Sequence, residues 1–212
     1  MVKNGYNHVI SRFATVFITL MLCIGYMPLS SSAYADEVTV EAVVVWNGSV
    51  ATGFSDGTGT QADPYLVADG SELAYLVQQV NAGTDYSGKY FKQTADIDLD
   101  SLQWTPVGIY VSQSSSGNRA FAGIYDGDGC IISNLFVDQT FSGSNSNNKA
   151  FGVFGYVTGT VMNLGLNNAD VSVTNTNSAS PGNAYAGGMV GYLASTSSNG
   201  LFNCFARGEI TA

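Results

Sequence analysis

The chain has 212 residues, 16 acidic and 7 basic side chains, a formal net charge of −9 and only 11% charged residues, with 25 glycines. So few cations repel a phosphate backbone rather than attract it, which excludes nucleic acid as a partner and disfavours an anionic membrane surface. The single histidine, His8, lies in an N-terminal stretch that reads as an export signal, so the rest of the chain has no imidazole base, no Ser-His-Asp or Cys-His machinery and no HExxH zinc site.

That first stretch carries Lys3 and Arg12, an apolar run from Phe13 to Leu29, and the small residues Ala33-Tyr34-Ala35. This is the pattern of a Sec-type secretory signal, residues 1–35, with cleavage expected after Ala35. Gly25 and Pro28 interrupt the run and no basic stop-transfer cluster follows, which argues against a membrane anchor. Cys23 follows Met21-Leu22 rather than the small residues that precede a lipid-modified cysteine. The expected product is secreted or held at the cell surface, with no membrane insertion once the signal is gone. It keeps all 16 acidic but only 5 of the 7 basic residues, a net charge of −11. Its length suits one core, divided into an N-terminal cap with the first rungs (36–120) and a repeat region (121–212).

Val38 to Trp46 alternates and then turns wholly apolar, the pattern of a strand entering a covered sheet. Asn47-Gly48 and the run Gly53 to Gly59 are turn material; the Asn47-Gly48-Ser49 sequon reads as part of the turn. Asp63-Pro64-Tyr65-Leu66-Val67 is a turn into a short extended piece. A helix follows over 70–82. Asp69 caps it with Glu72 three residues on, Leu73, Leu76, Val77 and Val80 form one apolar face, and Asn81-Ala82-Gly83 stops it. An amphipathic helix ahead of stacked strands is suited to covering the first open edge; docking a partner with its polar face is the alternative. Tyr90 to Asp100 reads as extended, with Ile97 and Leu99 on one face and Asp96, Asp98 and Asp100 on the other. Trp104 to Gly108 closes that rung, and Tyr110 to Arg119 is a Ser-rich loop.

From Phe121 onward one unit recurs three times. Its anchor glycines are Gly123, Gly152 and Gly188, and the glycine is followed by Asn134-Leu135, Asn163-Leu164 and Asn203-Cys204. Ser195 to Ser198 reads as a loop insertion in the third copy. A unit this short cannot bury a face alone, so repetition predicts a stacked solenoid. Aligned on their glycines, the copies place Ile132, Val161 and Leu201 in one inward column and Leu135, Leu164 and Cys204 in another. Asn134, Asn163 and Asn203 would form a corner ladder. Cys130 and Cys204 fall in different columns and two rungs apart, beyond comfortable disulfide reach, so two free thiols are expected, with a bridge in an oxidising compartment as the alternative.

These repeats, above all Gly187-Gly188-Met189-Val190-Gly191 through Asn203-Cys204 to Gly208-Glu209-Ile210, resemble the GLUG-motif repeats of bacterial surface proteins. Trp46-Asn47-Gly48, Asp63-Pro64-Tyr65-Leu66, Asp96-Ile97-Asp98-Leu99 and Trp104 to Gly108 resemble the text that precedes such repeats. The resemblance implies an all-β fold, a right-handed parallel β-helix with one short N-terminal capping helix, displayed outside the cell in adhesin-like proteins and some immunoglobulin A-cleaving metallopeptidases. The zinc motif of those peptidases is absent here, so that activity does not carry over.

Three constellations invite chemistry. Asp96, Asp98 and Asp100 lack the glycine and later carboxylate of a calcium loop, and Asp126-Gly127-Asp128-Gly129 is explained by a tight turn. Structural carboxylates and a turn are the expected readings, with calcium as the weaker alternative at each, and no cofactor is expected. Carboxylate chemistry on a β-helix would need Asp96 and Asp98 with Lys89 or Lys92, or Asp126 with Arg119, and no spacing specifies such a pair. The expected function is a non-catalytic scaffold or adhesive element that offers polar loops and exposed aromatics to an extracellular glycan or protein. A polysaccharide lyase or glycosidase, or the leading piece of a larger surface protein, are the alternatives. End-to-end association through an open last rung is a further expectation.

Overall fold

A computed structural model describes residues 43–113, 115–142, 148–178, 182–194, 196 and 198–212. The expected signal and its cleavage site, the start of the first strand (38–42), and Ser195 and Ser197 of the expected loop lie outside the described residues. Along the chain β1 (Val44–Val45) and β2 (Tyr65–Val67) precede α1 (Gly70–Ala82), and β3 (Tyr90–Gln93) and β4 (Ile97–Asp98) follow it. Then come β5 (Ile124–Asp126), β6 (Ile131–Ser133), β7 (Phe136–Phe141), β8 (Lys149–Phe151), β9 (Phe154–Val157), β10 (Thr160–Met162) and β11 (Gly165–Asn175). The last are β12 (Ala184–Ala186), β13 (Val190–Leu193), β14 (Leu201–Phe202) and β15 (Phe205–Thr211).

Apart from β2 and β3, which flank the helix, successive strands do not pair with each other. One sheet runs β1-β4-β6-β11-β15 with β7 also on β11, a second runs β14-β10-β5-β3-β2, and a third side is built from the pairs β12-β8 and β13-β9. All of these pairings are parallel. From β5 onward each strand that pairs with an earlier one meets it 34 to 40 residues back, as in Tyr125 against Phe91 and Leu201 against Val161. This is a β-solenoid of about three turns with one short helix. The stretch from Tyr90 to Asp100 is not one strand: the chain turns a corner at 94–96, so β3 and β4 belong to different sheets, although Ile97 and Leu99 are both fully buried.

The interior is filled by columns. Ile97, Ile132 and Leu166 stack in one, and Phe91, Tyr125 and Val161 in another, all 0–1% exposed. Each such side chain is worth roughly 1.5–3 kcal/mol of transfer free energy before chain entropy is subtracted. The column proposed for Ile132, Val161 and Leu201 is therefore corrected: Val161 and Leu201 do pair, but Ile132 lies on another sheet. The cause is a slip in matching the first copy. Phe121 bridges Val157, and Ile124 to Asp126 register with Thr160 to Met162, so Gly123 stands against Gly159 rather than Gly152. Two sides of the coil each carry an apolar–glycine motif, so the spacing alone does not decide which pair stacks.

α1 forms as its pattern demands. The Asp69 carboxylate accepts from the Ser71 and Glu72 amides at 2.8 and 3.0 Å, and Glu72 reaches back to the Ala68 amide at 2.7 Å. Gly83 ends it in the left-handed region at φ 114°. Leu73, Leu76, Val77 and Val80 are buried in the same core as the strands. The helix connects β2 to β3, which are parallel neighbours. Its last turn does something more specific. Val107 uses its amide and carbonyl on Val153 and Gly155, leaving the Pro106 carbonyl and Gly108 amide pointing the other way. Asn81 takes both: its Nδ2 donates to Pro106 at 3.1 Å and its Oδ1 accepts from Gly108 at 2.8 Å. One side-chain amide thus stands in for the next strand.

Candidate functional site

The repeat asparagines sit at corners. Asn134, Asn163 and Asn203 adopt φ of 58°, 52° and 51°, the left-handed region that asparagine tolerates. They form two ladders, not one. Asn134 donates to Asp98 at 2.7 Å and accepts from Asn168 at 2.6 Å; Asn163 donates to Asp126 at 2.9 Å and accepts from Asn203 at 2.8 Å. Each ladder starts on an aspartate because an ionised carboxylate only accepts, and so ends a chain of amide donors without an orphan. Asn168 was missed by the repeat alignment, although it too has positive φ (55°).

Gly152 abuts the backbone of Gly187 and Gly188, so the second and third copies are aligned to within one residue. Leu164 lies beside Cys204, whereas Leu135 lies beside Ala169, in another column. Leu164 has Cys130 on its other side. The two cysteines therefore share a column, contrary to the alignment, and both are free. Leu164 separates them by two strand spacings, about 10 Å, beyond disulfide reach.

The acidic residues disperse. Asp96 accepts from the Ile131 amide at 2.8 Å, Asp98 heads a ladder, and Asp100 occupies an exposed left-handed turn. Among the described residues no group of three His, Cys, Asp or Glu side chains could hold a metal ion. Asp128 (φ 51°) and Gly129 (φ 85°) form the tight turn expected of Asp126-Gly127-Asp128-Gly129. Lys92 lies opposite Asp126 in register and pairs with Asp128 at 2.9 Å, a contact that raises its pKa. The pair is exposed and screened, so it holds little of the fold. Lys89 donates to the Thr58 carbonyl and lies over the Tyr65 ring. Arg119 is not near Asp126; the two line different cavities.

The side the residue pattern did not single out is the third one. Tyr156 of β9 and Tyr192 of β13 are in register. The Ser-rich loop closes as a hairpin through Ile109 and Arg119, whose backbones exchange bonds of 2.7 and 2.8 Å, and this swings Tyr110 against them. Tyr110 stacks on Tyr192 with ring centres 3.9 Å apart and planes 11° off parallel, and meets Tyr156 edge-on at 5.2 Å. Tyr185 packs edge-on to Tyr192 at 5.0 Å, and its hydroxyl accepts from Asn183 at 2.9 Å. Tyr110 is buried and the other three are half-buried. Burial, then the approach of the Tyr192 hydroxyl, pushes Tyr110 up to about 12, and burial also raises Tyr156. Beside Tyr156 opens a cavity of about 520 Å³ whose polar walls are Asp85, Asn118 and Arg119. The signal was in the sequence as Gly155-Tyr156 and Gly191-Tyr192, 36 residues apart, but nothing local says that a hairpin brings in Tyr110.

No family model matches the chain, and no solved structure matches it. It is similar to a stretch of halomucin from Haloquadratum walsbyi (strain DSM 16790 / HBSQ001), 35% identical over 135 residues. The match covers 59% of this chain and 1% of that protein, so the chain spans about one hundredth of the curated relative's length. No helix among the described residues is long and apolar enough to cross a membrane. The likeness is a weak pointer to a secreted or surface protein, carried by a β-solenoid of about three turns.

Proposed function

We propose that the protein is an exported, non-catalytic β-solenoid module that works at the cell surface as a scaffold or adhesive element for an extracellular glycan or protein. The observation that carries this reading is the division of labour in the coil: hydrocarbon columns fill the interior, while aromatic and amide side chains are gathered on the outside of the third side. The signal-like start, the likeness to a stretch of halomucin, and the resemblance to GLUG repeats support the same reading. We take the winding as right-handed, because a strand–helix–parallel strand crossover such as β2–α1–β3 is right-handed in about 98% of cases. The helix is its N-terminal cap, with Asn81 closing the third side. Two tests bear on the role. Protease shaving of intact producing cells should remove the protein, and the purified exported chain should bind in a screen of glycans and extracellular proteins. Retention inside the cell after shaving refutes the localisation.

The second reading, a polysaccharide lyase or glycosidase, has one observation in its favour. Lys92, Asp126 and Asp128 gather on one open face, where a cavity of about 270 Å³ is lined by Lys92 and Asp126. Release of reducing ends or unsaturated products from a polysaccharide panel, lost in Lys92→Met, would replace the first reading with this one.

A further inference from the structure

We infer that the cavity beside Tyr156 is a binding site for an uncharged saccharide unit, held against the tyrosine by Asp85 and Arg119. The inference rests on the surface-module reading and gives it a location and a ligand class. Asp85 and Arg119 line the same cavity with Tyr156, yet the two charges are not within ion-pair distance of each other. Asp85 uses Oδ1 on the Ser87 amide, and its backbone carbonyl accepts from Ala122, which fixes it to the coil. Arg119 uses Nη1 on the carbonyls of Ser116 and Asn118. Their other polar atoms meet no partner among the described residues. A carboxylate and a guanidinium held apart across a gap present an acceptor and a donor fork to whatever enters between them. Asn118 is not a third free group: its amide is consumed by Val111 and Ser112, and it holds the hairpin in place.

The chemistry of the ligand follows from these walls. Opposite charges cancel within the cavity, so a net-charged ligand gains nothing from it, and the −11 charge of the chain after Ala35 repels polyanions. A pyranose has a rim of adjacent hydroxyls, each able to donate and accept, and a face of C–H groups that packs on an aromatic ring. Tyr156 supplies such a ring. It is braced by Tyr110 at 5.2 Å and Tyr192 at 5.7 Å, so little rotamer freedom is lost on binding. A peptide would ask for an apolar pocket or an open strand edge instead. The cavity volume, about 520 Å³, is within the range of small-ligand sites.

The test titrates the full exported chain with neutral gluco-, manno- and galacto-oligosaccharides and, as the charged arm, oligogalacturonate, reading tyrosine fluorescence and calorimetric heat. At least one neutral oligosaccharide should bind. Tyr156→Ala, Asp85→Asn and Arg119→Gln should each weaken it about tenfold or more, while Tyr156→Phe and Glu209→Gln, exposed on the last strand, leave it unchanged. Far-UV circular dichroism checks that each variant is folded; the exposed Asp85→Asn serves even if Tyr156→Ala is not. Undiminished binding in all three site variants, selective binding of oligogalacturonate, or no saccharide binding overturns the inference. Saccharide binding that ignores the site variants, or binding of an extracellular protein alone, leaves the surface-module reading standing.

Discussion

Asn81→Ala removes the amide that substitutes for a strand at the start of the third side. Two bonds are lost, 3.1 Å to the Pro106 carbonyl and 2.8 Å from the Gly108 amide, and both backbone groups are left without a protein partner. A deeply buried orphan costs about 1–3 kcal/mol. Asn81 is only half-buried and borders cavities of about 280 and 500 Å³, so water can replace part of what it supplies. The loss should then total about 1–2 kcal/mol, lowering Tm by roughly 2–8 °C for a domain of this size. Asn81→Asp keeps the acceptor for Gly108 but turns a second oxygen toward the Pro106 carbonyl. It should be the less stable variant at neutral pH and recover as the carboxylate is protonated. Urea titration followed by circular dichroism measures the global effect, and hydrogen exchange at the Gly108 amide reads the local one, with about tenfold faster exchange expected in Asn81→Ala. The exposed Gln78→Ala, one turn earlier, is the control. If Asn81→Ala matches Gln78→Ala in stability and Gly108 exchange is unchanged, the amide does not close that edge.

Leu164, 1% exposed between Cys130 and Cys204, and Leu201, 38% exposed on the last coil, are both leucines of the repeat. Leu164→Asp should cost more than the 2–5 kcal/mol typical of Leu→Ala and abolish cooperative unfolding, whereas Leu201→Asp should cost within about 1 kcal/mol; equal losses in denaturant would refute stacked coils. A Cβ on Gly159 would strike the Gly123 carbonyl and the Ala122 backbone of the preceding coil, while one on Gly53 meets nothing within 4 Å. Thermal melts should therefore show Gly159→Ala destabilised by about 1–3 kcal/mol or more and Gly53→Ala near neutral. Tyr86 and Tyr110 are each raised to about 12, mainly by burial, and the buried Tyr125 is raised as well. The folded chain therefore keeps protons that the unfolded chain releases above its ordinary pKa of about 10. Stability should be full below pH 10 and fall between about 10 and 12, with tyrosinate absorbance rising together with the loss of circular dichroism; early ionisation without unfolding would contradict the burial.

What the residues alone determine here is local or periodic. The helix over 70–82 follows from a cap, a 3.6-residue apolar period and a glycine stop, all within its own length. Repetition of a unit too short to bury its own face implies stacking, whatever the direction of winding. Which strand lies on which is a different matter. The 11-residue spacing from Gly123 to Asn134 and from Gly152 to Asn163 is real, yet Asn134 stacks on Asn168. Every side of the coil repeats small-residue turns and alternating apolar positions, so several registers satisfy the pattern equally. Only volume and backbone contact choose among them, as when Gly159 meets the Gly123 carbonyl and Ile132 fits between Ile97 and Leu166. The tyrosine wall is decided the same way. Its members lie 82 residues apart along the chain, from Tyr110 to Tyr192, and meet because a hairpin folds across two coils. Side-chain period is written in the sequence; proximity between coils is written only in the packing.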